Sequence, residues 1–245
     1  MRAWDSRTLT GRLLRWPLRC IPSGTVVPVL SGPNRGRWWT VGSAPHGAWI
    51  GTLERDKLAH FVGRISEGMT VWDIGANVGL YTLPAAQAAG STGHVVAFEP
   101  MPRNLRILRR HLALNGCGRV EVCEAAVGDE AGTLRMAEGD SPSEFHAEPA
   151  GRWEVRAVTL DSWLEDGATP PPDVVKIDVE GSDDAVLRGG AVAFSKYRPL
   201  IYLALHGERQ RLASSLLLAD WDYRVVSLEA DLDPDVSSEW LAEPR

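Results

Sequence analysis

The stretch Val71-Trp72-Asp73-Ile74-Gly75-Ala76-Asn77-Val78-Gly79-Leu80-Tyr81-Thr82 decides how this chain is read. Residues 70–74 form a short apolar run, and residues 80–89 have a helical pattern. Between them Gly75 and Gly79 permit a tight strand-to-helix turn and a close approach of backbone to a ligand. The spacing is not the GxGxxG of a dinucleotide fingerprint. Asp73, just ahead of the glycines, suits a cationic or hydroxyl-rich ligand better than a pyrophosphate. Taken alone, such a turn is also compatible with a purely structural connection.

Working outward, the same strand–helix alternation continues. Residues 94–99 read as a strand, 102–115 as a helix and 120–126 as a third strand. Residues 133–136 and 154–160 look like an inserted pair of strands joined by a polar loop, 137–152. A short helix begins at Asp161, and Thr169-Pro170-Pro171-Pro172 is a rigid connector. Strands are expected at 174–179, 200–205 and 223–228, with a short seventh at 239–243. Helices are expected from Asp183 and near 209–219. Upstream, 12–20 reads as a short amphipathic helix or turn, and 25–30 with 37–42 as a β-hairpin around the turn 31–36. Residues 53–65 carry Leu58, Phe61, Val62 and Ile65 at helical spacing. The pattern predicts an α/β fold with a mostly parallel sheet covered by helices on both faces. Ligands of such sheets bind outside the carboxyl ends of the strands.

Two further signals fall at those ends. In Phe98-Glu99-Pro100, 24 positions after Gly75, a carboxylate can accept both hydroxyls of a ribose; its structural alternative is an acid at a helix N-terminus. In Val175-Lys176-Ile177-Asp178-Val179-Glu180-Gly181, strand alternation places Lys176, Asp178 and Glu180 on one face. Three charges on a core strand are costly unless paired or used, and a self-satisfying Lys–Asp pair is the structural alternative for Lys176.

Composition bounds the class. The 245 residues, 44% hydrophobic and 24% charged, suffice for one large domain or one domain with an added flap. No apolar run approaches the ~20 residues of a membrane span. Cys20, Cys117 and Cys123 have no CxxC spacing, which favours a reducing, cytoplasmic setting without structural zinc. The net charge of −6 is uneven: residues 1–50 hold seven arginines against Asp5, a local +6, leaving −12 to the remainder. That acidic body argues against nucleic-acid binding. Five of the ten tryptophans, Trp4, Trp16, Trp38, Trp39 and Trp49, lie in the same first fifty residues.

The ordered runs DIGANVGLYT, FEPMPRN, AAVGD, TLDSW and KIDVEGSDDAVLRGG, with GPNRGRWW and HGAWIGTLE upstream, together resemble the FkbM family over roughly residues 20–245. These are class I S-adenosylmethionine-dependent methyltransferases. The resemblance implies a Rossmann-like class I sheet in residues 66–245, with a capping N-terminal extension, residues 1–65, of basic leader, hairpin and helix. It implies that Asp73, Gly75, Ala76, Asn77 and Gly79 form the first cofactor motif, with Tyr81 and Thr82 behind it. Glu99, followed by Pro100, matches the ribose-binding acid, and Asn104 lies where the next helix is anchored. Ala125 and Ala126 stand where such folds hold the adenine. Asp178 and Glu180 match the signature beside the methyl-transfer site, with Lys176 on the same strand. His206 follows the fifth core strand; Ala204-Leu205-His206 lacks the acid of the family's Glu-x-His-like ending.

The resemblance implies in-line methyl transfer from S-adenosylmethionine to a small-molecule acceptor, a hydroxyl of a sugar, polyketide or other secondary metabolite. Glu180 is assigned to acceptor contact and His206 to the base or its orienting partner. The alternatives are N-methylation of an amine, for which His206 would be dispensable, and a non-catalytic nucleoside-binding module docking through the arginine-rich leader. A divalent metal on Asp178, Glu180 and one further oxygen ligand is chemically open but not favoured, because no second acidic cluster has a partner spacing; no metal ligand is assigned. His46, His60, His94, His111 and His146 lack ligand spacing and are expected to be surface or structural, although the loops holding His46 and His146 are candidates to cover the acceptor. No nucleic-acid or membrane partner is expected. Residues 1–19 are the candidate contact for docking or a homo-oligomer.

Overall fold

The computed structural model describes residues 20–138, 145–167, 169–229 and 231–245. The expected leader helix at 12–20 and any contact through residues 1–19 lie almost wholly outside them. The chain divides into two units, one ending at Arg55 and one running from Asp56 to Arg245. The first contains β1 (Val26–Pro28) and β2 (Trp38–Thr40), paired antiparallel with Val27 opposite Trp39, and the short helix α1 (Gly47–Ile50). Trp39 and Trp49 are buried, whereas Trp38 is exposed.

Helix α2 (Arg55–Gly63) leads into the second unit, followed by β3 (Thr70–Ile74), α3 (Thr82–Ala89), β4 (His94–Phe98), α4 (Pro102–Leu114) and β5 (Glu121–Cys123). Then come β6 (Ala126–Val127), β7 (Gly132–Glu138), β8 (Phe145–Ala147), β9 (Trp153–Val158) and α5 (Leu160–Glu165). The chain closes with β10 (Val174–Ile177), α6 (Asp183–Gly189), α7 (Ala191–Tyr197), β11 (Leu200–Ala204), α8 (Glu208–Asp220), β12 (Tyr223–Ser227) and β13 (Glu239–Pro244).

Seven strands form one sheet in the order β12-β13-β11-β10-β3-β4-β5. Neighbours from β11 to β5 are parallel, and β13 runs antiparallel between β11 and β12. The order reverses direction at β3, which sits between β10 and β4, so the topological switch point lies at the end of that strand. Strand alternation splits the core in two. Trp72, Val96, Val175 and Ile201 point to one face, under Leu160, Leu187, Phe194 and Leu218 from α5 to α8. Val71, Val95, Val174 and Tyr202 point to the other, under Leu58 and Phe61 of α2 and Ala85 of α3. Strands buried on both sides require such continuous apolar runs. Because Leu58, Phe61 and Ile65 belong to this second cluster, α2 packs as part of the sheet domain.

Two expectations need correction, and one helix was not foreseen. The predicted strand 120–126 is two strands, because β6 leaves the main sheet to pair with β9 in a four-stranded sheet, β6-β9-β7-β8. The predicted strand 174–179 ends at Ile177, and Glu180 and Gly181 take φ +50° and +90°. Alternation therefore does not extend to Glu180; a left-handed turn sets its direction instead. The helix begun at Asp183 is followed by a second, α7, whose free N-terminal amides of Val192 and Ala193 are accepted by Asp161 at 3.0 and 2.9 Å. The Asp of TLDSW is thus a capping residue from a distant segment.

Candidate functional site at the carboxyl ends of the strands

Parallel register aligns Ile74 with Phe98 and with Ile177, so the residues that follow them emerge along one edge of the sheet. The Gly75–Gly79 turn is fixed by backbone: the amides of Gly75 and Ala76 both donate to Phe98 O at 3.0 Å, and Gly79 N donates to Ala76 O at 2.8 Å. Gly75 is required on two counts. Its φ is +77°, and a Cβ would lie 1.9 Å from Asp178 O. Asn77 takes φ +51°, which aims its amide at Glu99.

Glu99 is the hub of this cradle. Its Oε2 accepts from Asn77 N at 2.9 Å, and its Oε1 from Met101 N at 2.9 Å and Asn104 Nδ2 at 3.2 Å. Only 4% of the residue is exposed. Burial pushes its carboxyl up to about 7, against the opposing pull of those three donors. A carboxylate oxygen has room for two donors, so Oε2 can take a hydroxyl beside the Asn77 amide, and such a donor would favour the ionised form. Ala125 and Ala126 are buried on the next segment and Pro100 is half-buried. Below the turn, buried His111 of α4 donates from Nδ1 to Val78 O at 2.8 Å. Burial holds its pKa below the ordinary imidazole value, which matches a neutral, structural ring.

Asp73, Thr82 and Lys176 form the floor. Asp73 is fully buried, and its Oδ2 accepts from Thr82 Oγ1 at 2.6 Å. Burial raises its pKa, while Lys176 and the Thr82 hydroxyl pull it back. Lys176 Nζ lies 3.8 Å from Asp73 Oδ1 and 3.2 Å from Asp178 Oδ2, donates to Gly75 O at 3.3 Å, and stands over the buried Tyr81 ring at 5.1 Å. The lysine thus ties the acid before the glycine turn to the acid after β10. Asp73, Thr82 and Ala125 have no exposed surface, so they support the edge from beneath.

Beside this floor Asp178, Glu180 and His206 converge. His206 Nε2 is 3.6 Å from Asp178 Oδ1 and 3.4 Å from Glu180 Oε2, and its Nδ1 is 3.6 Å from Asp183 Oδ2. Gln210 of α8 holds the turn in place by donating from Nε2 to Gly181 O at 3.0 Å. The Asp183 carboxylate, against the cost of burial and with help from Asp178 and Glu180, raises His206 to about 9. For Asp178 burial acts upward, but Lys176, then His206 and Lys57, outweigh it and hold the group below its usual range. One donor atom each from Asp178, Glu180 and His206 lies within 4.8 Å of the others, a set with the chemistry to meet a cation. Lys176 sets a positive charge 3.2 Å from Asp178 Oδ2, beside them.

Sequence reasoning thus named Lys176, Asp178, Glu180 and His206, and the structure brings them together. It missed Asp183 and Gln210, whereas His111, expected to be surface or structural, is buried against Val78 O. Asp183 reads in sequence as an ordinary acid in a helix first turn, and Gln210 carries no local signal. Of the other histidines, His60 Nδ1 meets the Tyr202 hydroxyl at 2.8 Å and His146 stands 3.5 Å from Glu148 in the inserted sheet. Among the described residues no helix is long and apolar enough to cross a membrane.

Comparison with known proteins gives the family and the fold. Residues 73–232 match the family described as the methyltransferase FkbM domain. The hexuronic acid methyltransferase AglP of Haloferax volcanii is 27% identical over 142 residues, 56% of each chain. The 31-O-demethyl-FK506 methyltransferase FkbM of Streptomyces tacrolimicus is 38% identical over 107 residues, 42% of this chain and 39% of that protein. The chain is therefore matched to only about half, or less, of the length of these curated relatives. Among solved structures, a methyltransferase FkbM from Methylobacillus flagellatus superposes with TM-score 0.53 at 22% identity, over 74% of this chain and 44% of the other. A SAM-dependent O-methyltransferase from Thermotoga maritima does so with TM-score 0.51 at 13% identity, over 96% and 82%. At these identities the likeness establishes the fold, that of Rossmann-like class I methyltransferases.

Proposed function

The chain belongs to the FkbM methyltransferase domain family, and on that premise we propose that it is an S-adenosylmethionine-dependent methyltransferase acting on a hydroxyl of a small molecule. The observation that carries this reading is the pairing, on one sheet edge, of the Glu99 cradle with the Asp178–Glu180–His206 cluster. Glu99 offers a ribose diol a buried acceptor already positioned by Asn77, Met101 and Asn104. Ala126 borders the adenine place, and Asp178 suits a cationic ligand. When bound, that cofactor would supply an activated methyl carbon with a thioether as its leaving group.

The chain's own residues have two tasks: alignment, and removal of the acceptor's proton. A hydroxyl must lose its proton, whereas an amine needs little help, and the imidazole set among three carboxylates favours the hydroxyl reading. Glu180 contacts the acceptor, and His206 Nε2 takes the proton. Because the ring is held up to about 9, it is mostly protonated at neutral pH, so transfer should rise with pH towards that value. Sugar and polyketide hydroxyls are the first acceptors to test, in keeping with the names of the two relatives. Calorimetry tests the cofactor: saturable binding is expected, and no binding at millimolar ligand rules the reading out. A labelled-methyl assay on a hexuronic acid and on a demethylated macrolide then tests the acceptor class. The cytoplasmic setting and a secondary-metabolic role belong to the same proposal.

A further inference from the structure

Asp183 opens α6 with no exposed surface. Its Oδ1 has no hydrogen-bond partner in the structure. Its Oδ2 accepts the backbone N–H of His206 at 3.3 Å and lies 3.6 Å from Nδ1 of the same ring. Burying an anion is costly without a charged or hydrogen-bonding partner, and a place in a helix first turn offsets only a small part of that cost. The partner that accounts for Asp183 is the His206 imidazole. Across the ring Nε2 faces Glu180 Oε2 at 3.4 Å and Asp178 Oδ1 at 3.6 Å. Behind Asp178, Lys176 stands 3.2 Å from its Oδ2 and 3.8 Å from buried Asp73, and Lys57 of α2 also acts on Asp178. A neutral imidazole has one N–H, and it can accept a proton at Nε2 only while Nδ1 keeps its own.

Building on the methyltransferase reading, we propose that Asp183 is a positioning residue that holds the Nδ1–H of His206, turning Nε2 toward Glu180 and Asp178 to receive the acceptor's proton. The acceptor O–H bond breaks, an Nε2–H bond forms, and the imidazolium's second N–H rests against the Asp183 carboxylate. The sequence does not announce this role, since Asp183 and His206 are 23 residues apart, one opening α6 and the other in the loop after β11.

The test is nuclear magnetic resonance of the full chain labelled with 15N-histidine. It needs no acceptor. In the wild-type protein the neutral ring, observed above about pH 10, should be the Nδ1–H tautomer, with titration near 9. Asp183→Asn should lower that midpoint by about one unit or more, and Asp183→Glu should largely retain it. An Nε2–H tautomer in the wild-type protein overturns the proposal without any variant having to fold. So does an unchanged midpoint in a folded Asp183→Asn protein. A cofactor titration on the same sample separates the two readings: absent binding defeats the methyltransferase assignment and leaves the His206 spectra as the judge of Asp183.

Discussion

The two acidic groups on the sheet edge are built differently. Glu99 is held by two backbone amides and one side-chain amide at 2.9–3.2 Å and is almost wholly buried. Glu180 and Asp178 sit 3.4–3.6 Å from a histidine, and their side chains are 36% and 27% exposed. The first is a preformed socket made by neighbouring chain. The second is a looser meeting of side chains from the ends of β10 and β11 and the start of α6. Such a contrast suits a site in which one part must recognise a constant ligand and the other must admit an acceptor and pass a proton. Binding should depend on the socket, and turnover on the meeting.

The largest expected break in that contrast is His206→Ala, which should lower turnover by about 10²–10⁴-fold, the range of a lost general base, with cofactor affinity nearly unchanged. Comparable losses of both would place His206 in the socket instead. Gly75→Ala should act in the opposite sense. Its Cβ would meet Asp178 O in a left-handed backbone, so thermal or urea unfolding should show a loss of about 3 kcal/mol or more, and a wild-type melting curve would contradict the close approach. Glu99→Ala should weaken cofactor binding by about 1–3 kcal/mol, read by calorimetry, and an unchanged dissociation constant would remove the ribose role.

The smallest effect is one of pH. Glu99 in the folded protein titrates at about 7, and the ionised form is the better ribose acceptor. Affinity should be full above that value and fall as pH drops through it, by about tenfold between pH 8 and pH 6. The same shift has the reverse consequence for folding. An acid whose folded pKa is raised disfavours the native state above about 7, and that penalty disappears as pH falls towards its unfolded value of 4.5. An affinity flat across the range would mean that Glu99 is ionised throughout.

The alternating strands and helices were legible because apolar periodicity is a local property, and β3, β4, β10, β11, β12 and β13 all lie within or across the segments it marks. The split of the third strand was not, since Glu121–Cys123 and Ala126–Val127 are both apolar-rich and only their hydrogen-bonding partners differ. The socket was legible for a similar reason: the glycines and Glu99 each sit at a recognisable strand end. The motif AAVGD gains its meaning only in space, where Gly189 packs so closely on Gly128 O that a Cβ would stand 1.9 Å away.

The sequence by itself determined the α/β class, the glycine turn and the acid paired with it, because each depends on residues close along the chain. Tertiary structure alone decided that Glu180 reaches His206 through a left-handed turn, that Lys176 joins Asp73 to Asp178, and that buried Asp183 backs the ring. Those pairings arise where parallel strands end side by side, and hydrogen bonds between distant segments, rather than sequence spacing, set which side chains meet there.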